Sequence, residues 1–346
     1  MSRFTKSVAA TGACLLLLLH GAAALAQTVV YATDGGKLLD AQKKTIISAA
    51  EDKAKVRITV EANADRYPVV KASVGMNNPQ WDVVDIGAGY CLRGVDDGMW
   101  EKIDYSQIPN AKDVDARFNS PYFVGFYGYS TLIAYNNKKF PNGGPRSWAD
   151  FWDVKKFPGK RALRNYARPT LEIALLADGV PSDKLYPLDV ERAYKKLEEI
   201  KPNVAVWWTS GAQSHQLLLD GEVDMIALWD GRADAAKSDG ADVSFSYDGA
   251  ILENTCLAVL KGAKNRDNAM RAINALLDPK AQSELASIYK TGPLNSKLVN
   301  YMDPKRSAQL ATSPDNIRKQ TLLNTQWWSS AQGQAAEGRW LAFVQK

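Results

Sequence analysis

The sequence predicts an α/β protein of two lobes, each a mostly parallel sheet flanked by helices, with strands crossing between the lobes. Three observations predict it. Residues 28–90 alternate strand, helix, strand, helix, strand, and residues 204–229 repeat strand, helix, strand, the order that builds parallel sheets covered on both faces. Two long aromatic and apolar runs, Pro121–Asn136 and Ile251–Leu260, are strand-like and long enough to leave one sheet and enter another. With 346 residues, the chain also exceeds what one small core holds.

Met1–Ala26 reads as a secretory signal. Arg3 and Lys6 supply a positive start, Cys14 to Leu19 with the following alanines an apolar centre, and Ala24-Leu25-Ala26 a small-residue cleavage site. That apolar stretch is too short for a permanent membrane span, so export to the periplasm as a soluble monomer is expected. Removing Arg3 and Lys6 from the 43 basic residues leaves 41 against 38 acidic ones. So small a surplus gives no electrostatic footprint for nucleic acid.

In the first lobe, Thr28–Thr33 is a β-branched strand followed by the loop Asp34-Gly35-Gly36. A helix from Lys37 to about Lys53 carries Leu38, Leu39, Ile46, Ala49 and Ala50 on its apolar side. Val56–Glu61 alternates as a strand, Arg66–Val74 returns as a helix, and Trp81–Ile86 is a buried strand running into the loop Gly87-Ala88-Gly89-Tyr90. Right-handed crossovers place both loops on one sheet edge, where glycines let a ligand approach the backbone. Asp34, Gly35 and Tyr90 are therefore candidate binding residues.

The second lobe opens with Ser147 capping a helix, Trp148–Trp152. The loop Asn165–Pro169 precedes a helix, Thr170–Ala177, and Leu188–Ile200 is amphipathic. Val204–Trp208 is a strand, the hydroxyls at Thr209 and Ser210 cap a helix Ala212–Leu219, and Val223–Trp229 is a strand before the turn Trp229-Asp230-Gly231. Trp208 and Trp229 thus end their strands at the edge where open α/β sheets bind ligands. Alternation sends one of Trp207 and Trp208 into the core, and Trp208 is assigned to the cleft. Ser210, Trp229 and Asp230 join it as candidates. Helices follow at Asn265–Leu277 and Ala281–Tyr289, and the tail reads as helical with Trp327, Trp328 and Trp340 as packing anchors. The expected division is 27–130 plus 252–302 for one lobe, 131–251 for the other, and 303–346 as helices packed on both.

No G-x-S-x-G elbow, H-E-x-x-H, C-x-x-C or P-loop is present. His215, the one histidine after the signal, sits mid-helix without a nucleophile elbow. Neither enzyme, cofactor nor metal site is expected; a secreted hydrolase using a carboxylate pair is the minor alternative. Cys91 and Cys256 either bridge in an oxidising compartment or stay as buried thiols.

Four segments carry a family likeness: W-D-V-V-D-I-G-A-G-Y at 81–90, G-M-W-E-K-I-D at 98–104, D-G-E-V-D-M-I-A-L-W-D-G-R at 220–232, and L-A-V-L-K-G-A-K-N-R-D-N-A-M-R-A-I-N-A-L-L-D-P at 257–279. With them the mature chain resembles the periplasmic substrate-binding proteins of ABC importers, in the spermidine/putrescine-type branch. The resemblance implies a type II periplasmic-binding-protein fold that closes on a solute and delivers it to an inner-membrane permease. It also implies a small cationic solute, a polyamine such as spermidine or putrescine, with carboxylates on its ammonium groups and aromatics along its methylenes. Tyr90, Tyr127, Trp208 and Trp229 stand in or beside the matching aromatic positions, and Asp34, Asp230 and Glu253 remain as anions. The loop that bears carboxylates in such relatives reads Asn165-Tyr166-Ala167-Arg168-Pro169 here, and a tryptophan and an aspartate of the recrossing strand are Glu253 and Thr255. The alternative is a zwitterionic or anionic organic solute, because the helix opened by Thr209-Ser210-Gly211 offers free N–H groups and Arg168 adds positive charge.

Overall fold

The computed structural model describes residues 28–345; the signal assigned to Met1–Ala26 lies outside them. Nine strands build the frame: β1 (Thr28–Thr33), β2 (Arg57–Ala62), β3 (Val83–Gly87), β4 (Phe123–Asn136), β5 (Arg161–Arg164), β6 (Val204–Trp208), β7 (Met225–Trp229), β8 (Val243–Phe245) and β9 (Ile251–Val259). Their order is β2-β1-β3-β9-β4-β7-β5-β6, with β8 beside β4 and short strands at Gly292–Pro293 and Thr321–Leu322.

The two lobes therefore share one continuous sheet rather than two separate ones. β2, β1 and β3 run parallel in the first lobe, and β7, β5 and β6 run parallel in the second. The crossing strands β4 and β9 pair antiparallel with each other, and each pairs antiparallel with the lobe it borders. β4 is 14 residues long, enough to belong to both lobes, and its pairing with β9 shifts register between Gly125 and Gly128. All nine residues of β9 are buried, as expected of a strand flanked on both sides and covered on both faces.

Side-chain alternation divides the interior into layers. In the first lobe Val83 packs with Val29, Tyr31, Ile46 and Ile273 on one face, while Val84 packs with Tyr67, Trp81 and Trp100 on the other. In the second lobe Leu163 joins Trp148, Phe151, Leu171 and Leu197, and Ala162 joins Leu217, Ile226 and Leu228. The tail supplies Trp327, Trp328, Trp340 and Phe343 to the first of those second-lobe layers.

Cys91 and Cys256 are disulfide-bonded, with Cα atoms 6.4 Å apart and a sequence separation of 165. The bridge ties the helix Ala88–Asp96 to β9, next to the β3–β9 ladder. Two expectations are corrected at the strand ends. Gly87-Ala88-Gly89-Tyr90 is not a loop, because a helix starts directly at Ala88; Trp229-Asp230-Gly231 is no turn, because a helix, Asp230–Ser238, starts there. Glycines at Gly89 and Gly231 made both stretches read as punctuation, yet each glycine admits a neighbour: a Cβ would stand 1.8 Å from Arg168 Nη1 at the first and 2.6 Å from the Lys290 carbonyl at the second. Among the described residues no helix is long and apolar enough to cross a membrane.

Candidate ligand-binding site

The carboxyl ends of β1 and β3 face those of β5 and β7 across a cavity of about 550 Å³, floored by β4 and β9. That volume suits one small organic solute. Asp34, Arg66, Tyr67 and Tyr90 line one wall; Arg164, Tyr166, Arg168, Trp229, Asp230 and Arg232 line the other. Tyr127, Tyr129, Glu253, Asn254 and Thr255 form the floor, and Asp65, Gly89, Tyr289, Lys290 and Thr325 are among the other lining residues.

On the first wall the Asp34 carboxylate pairs with Arg66, at 3.1 Å from Nη1, and Arg66 is only 7% exposed. Its negative charge is therefore already matched. Tyr127 lines the floor, but its hydroxyl is already engaged, donating to Asp85 Oδ2 at 2.8 Å, where the Thr33 hydroxyl also donates at 3.0 Å. Burial pushes the Asp85 carboxyl up from its ordinary range, against the nearby Arg66 charge. Tyr90 does line the cavity, its ring stacked on Tyr67 at 4.9 Å. Gly35 stands in the Asp34–Gly36 loop but is not part of the lining.

Two second-wall assignments are corrected. Trp208 is fully buried, donates its indole N–H to the Ala227 carbonyl at 2.9 Å, and packs with Leu217 and Leu228 instead of facing the cleft. Trp207 points the opposite way, against Trp340 and Phe343. Helices cover both faces of the sheet, so alternation sends neither indole to a ligand. Ser210 is spent as the helix cap, accepting from the Gln213 N–H at 3.2 Å, and stays outside the lining. Trp229 does line the cavity, and its buried indole N–H has no partner. An unmatched buried donor is costly unless something fills it. Asp230 reaches the cavity as well, but its oxygens accept from the Ser130 N–H at 3.0 Å and the Tyr247 hydroxyl at 2.8 Å.

The feature that sequence reading largely missed is cationic. Arg164 lies 4.7 Å from the Tyr166 ring centre and 4.9 Å from that of Trp229. Arg168 lies 5.4 Å from the Tyr90 ring and 5.7 Å from that of Tyr166. Both act on Glu253 through their charge; burial pushes the Glu253 carboxyl up, and the two guanidiniums pull it back down. Glu253 itself accepts from the Thr131 hydroxyl at 3.3 Å and the Tyr129 hydroxyl at 3.5 Å. Arg232 stands between the lobes, within 3.6 Å of a Cβ placed on Gly36, and its buried Nε has no partner. Lys290 is buried against Phe245 and Tyr247, and burial lowers its basicity.

The structure thus brings Asp34, Tyr90, Tyr127, Trp229, Asp230 and Glu253 to one cavity and leaves Gly35, Trp208 and Ser210 out of it. Of the arginines, only Arg168 stood out beforehand, through its loop. Arg164 was legible as the last residue of a short strand, the position that meets ligands in such sheets. Arg66 and Arg232 lie in the first turns of their helices, Arg66–Gly75 and Asp230–Ser238, and no local pattern separates them from solvated surface charges.

The sequence pattern of the bacterial extracellular solute-binding proteins matches residues 45–315. A relative named gamma-aminobutyric acid-binding protein, from Pseudomonas aeruginosa, is 32% identical over 329 residues, covering 93% of this chain and 92% of that protein. The spermidine/putrescine-binding periplasmic protein of Escherichia coli is 27% identical over 273 residues, covering 76% and 74%. Among solved structures, an ABC transporter substrate-binding protein from Bradyrhizobium japonicum superposes with a TM-score of 0.89 at 49% identity, covering 92% of this chain and 99% of that one. The binding protein MotA of A. tumefaciens B6, in complex with glucopine, gives 0.85 at 34% identity over 92% and 99%. This chain therefore belongs to the bacterial extracellular solute-binding protein family, as the solute-capturing component of an ABC transporter and not an enzyme.

Proposed function

We propose that this protein works in the periplasm, capturing a small zwitterionic organic solute of the amino-acid type, such as gamma-aminobutyric acid or an amino-acid conjugate, for its ABC permease. The observation that carries this reading is the charge arrangement of the cleft. Five cationic side chains, Arg66, Arg164, Arg168, Arg232 and Lys290, share the lining with four carboxylates, Asp34, Asp65, Asp230 and Glu253. The carboxylates expected to hold ammonium groups already have protein partners: Asp34 has Arg66, Asp230 has Ser130 and Tyr247, and Glu253 has two hydroxyls in the field of two guanidiniums. Arg164 and Arg168 rest on ring faces, where a planar fork remains free to receive a carboxylate.

A dication placed here would meet Arg164, Arg168 and Arg232 with one matched carboxylate after another. Of the four carboxylates only the exposed Asp65 has no such partner, so desolvating the second charge of a dication without a free anion would cost several kcal/mol. A zwitterion can set its carboxylate on the guanidiniums and its ammonium toward Glu253 and the faces of Trp229 and Tyr129, which stand edge to face at 5.8 Å. The relative named gamma-aminobutyric acid-binding protein supports the same class, since gamma-aminobutyric acid is a zwitterion.

Polyamine capture remains the second reading, favoured by the spermidine/putrescine-binding relatives and by the aromatic lining. Titration calorimetry with gamma-aminobutyric acid, an amino-acid conjugate of the opine type, putrescine and spermidine separates the two. Heat from an amino-acid ligand alone is the expected result. Saturable heat from a polyamine, with none from any carboxylate-bearing compound, would overturn the proposal.

A further inference from the structure

One contact across the cleft mouth is independent of any solute. Tyr90, on the helix after β3, and Tyr166, in the loop after β5, bring their hydroxyl oxygens to 2.7 Å. The Tyr166 hydroxyl also meets a carboxylate oxygen of Glu337. A carboxylate only accepts, so Tyr166 gives its proton to Glu337 and accepts the proton of Tyr90. Tyr67 holds the Tyr90 ring in place by stacking, and its own hydroxyl donates to Asp97 at 2.7 Å. Beside this bridge the Arg168 guanidinium lies on the backbone of Gly89, where a Cβ would stand 1.8 Å from Nη1. β3 and β5 flank the β9–β4 pair on opposite sides, so these contacts form only when the lobes are together.

We propose that Tyr90 and Tyr166 form a hydroxyl bridge that holds the lobes shut, and that closure seats Arg168 against Gly89. Tyr90 is then a positioning residue for a binding guanidinium rather than a solute contact. Only the role given to Arg168 rests on the function proposed above. Losing the bridging bond lowers the closed-to-open ratio about fivefold, the worth of one ordinary net hydrogen bond.

The Lys37–Asp239 ion pair provides a reporter, because it joins the helix after β1 to the end of the helix after β7. Carbodiimide coupling turns that pair into an amide only while the lobes are closed, and mass spectrometry of the joined peptides measures its yield. Ligand-free wild type, Tyr90→Phe and Gly89→Ala are compared, and again with gamma-aminobutyric acid added. The expected result is an initial coupling yield lower in both Tyr90→Phe and Gly89→Ala, by up to about fivefold in Tyr90→Phe where open molecules predominate, at wild-type melting temperatures. Yields equal to wild type in both variants, or losses matched by lower melting temperatures, would overturn the bridge. The ligand-free comparison stands even when gamma-aminobutyric acid fails to bind, an outcome that counts against the proposed solute alone.

Discussion

Trp208 stands edge-on to Trp229, ring centres 5.5 Å apart at 83°, and the two indoles have opposite fates. Trp208 is buried and bonded to the Ala227 carbonyl, whereas Trp229 borders the cavity with its N–H unmatched. One supports the wall and the other is the wall.

Substituting these two therefore separates folding from binding. Trp208→Ala is expected to cost about 3–5 kcal/mol of stability, as for other buried tryptophans. Trp229→Ala is expected to weaken solute binding at least tenfold while the melting temperature stays near wild type. Thermal melts and calorimetry on both variants check this; a wild-type melt for Trp208→Ala would show that the indole is not held in the core.

Arg164→Met and Arg168→Met are each expected to weaken binding of a carboxylate-bearing solute by roughly 10- to 100-fold, the worth of a charge-assisted hydrogen bond. Lysine at either position restores charge but not the planar fork, so recovery is expected to be partial. Equal affinities in the methionine variants and wild type would remove the guanidiniums from the site.

Glu172 is fully buried in the second lobe, accepting from the Tyr186 hydroxyl and from the Trp328 indole N–H, each at 2.6 Å. Burial pushes its carboxyl up from 4.5 to about 7, against the pull of those two donors. The folded protein thus binds this proton more tightly than the unfolded chain does, so stability falls as pH rises from about 4.5 through 7 and is level above that. Across that window the change is about 3 kcal/mol. Glu172→Gln keeps an acceptor but does not ionise. The difference in unfolding free energy between variant and wild type is expected to grow with pH over this range, and a pH-independent difference would contradict the assignment.

Reducing the Cys91–Cys256 bond releases a loop of 165 residues. Chain entropy assigns such a link about 5 kcal/mol at most. Reductant is expected to lower the melting temperature by roughly 5 °C or more. Superimposable melts before and after reduction, with two thiols titrating in the reduced sample, would show that the bond adds no stability.

The sequence by itself determined most of the strand and helix order, though not the helices Ala88–Asp96 and Asp230–Ser238, together with the crossing runs Pro121–Asn136 and Ile251–Leu260, the sheet edge that borders the cavity and the family likeness, because hydrophobic period, caps and turn residues are local properties. It also marked Asp34, Tyr90, Trp229, Asp230 and Glu253, which all reach the cavity. Tertiary structure alone decided that Trp208 belongs to the core, since alternation defines two faces of a strand and does not tell which of them is covered. It alone joined Cys91 to Cys256 and gathered Arg66, the neighbouring Arg164 and Arg168, and Arg232 from three separate stretches of the chain. A long guanidinium side chain ends far from its own backbone, so its partners follow from how the lobes meet and not from its neighbours in the chain.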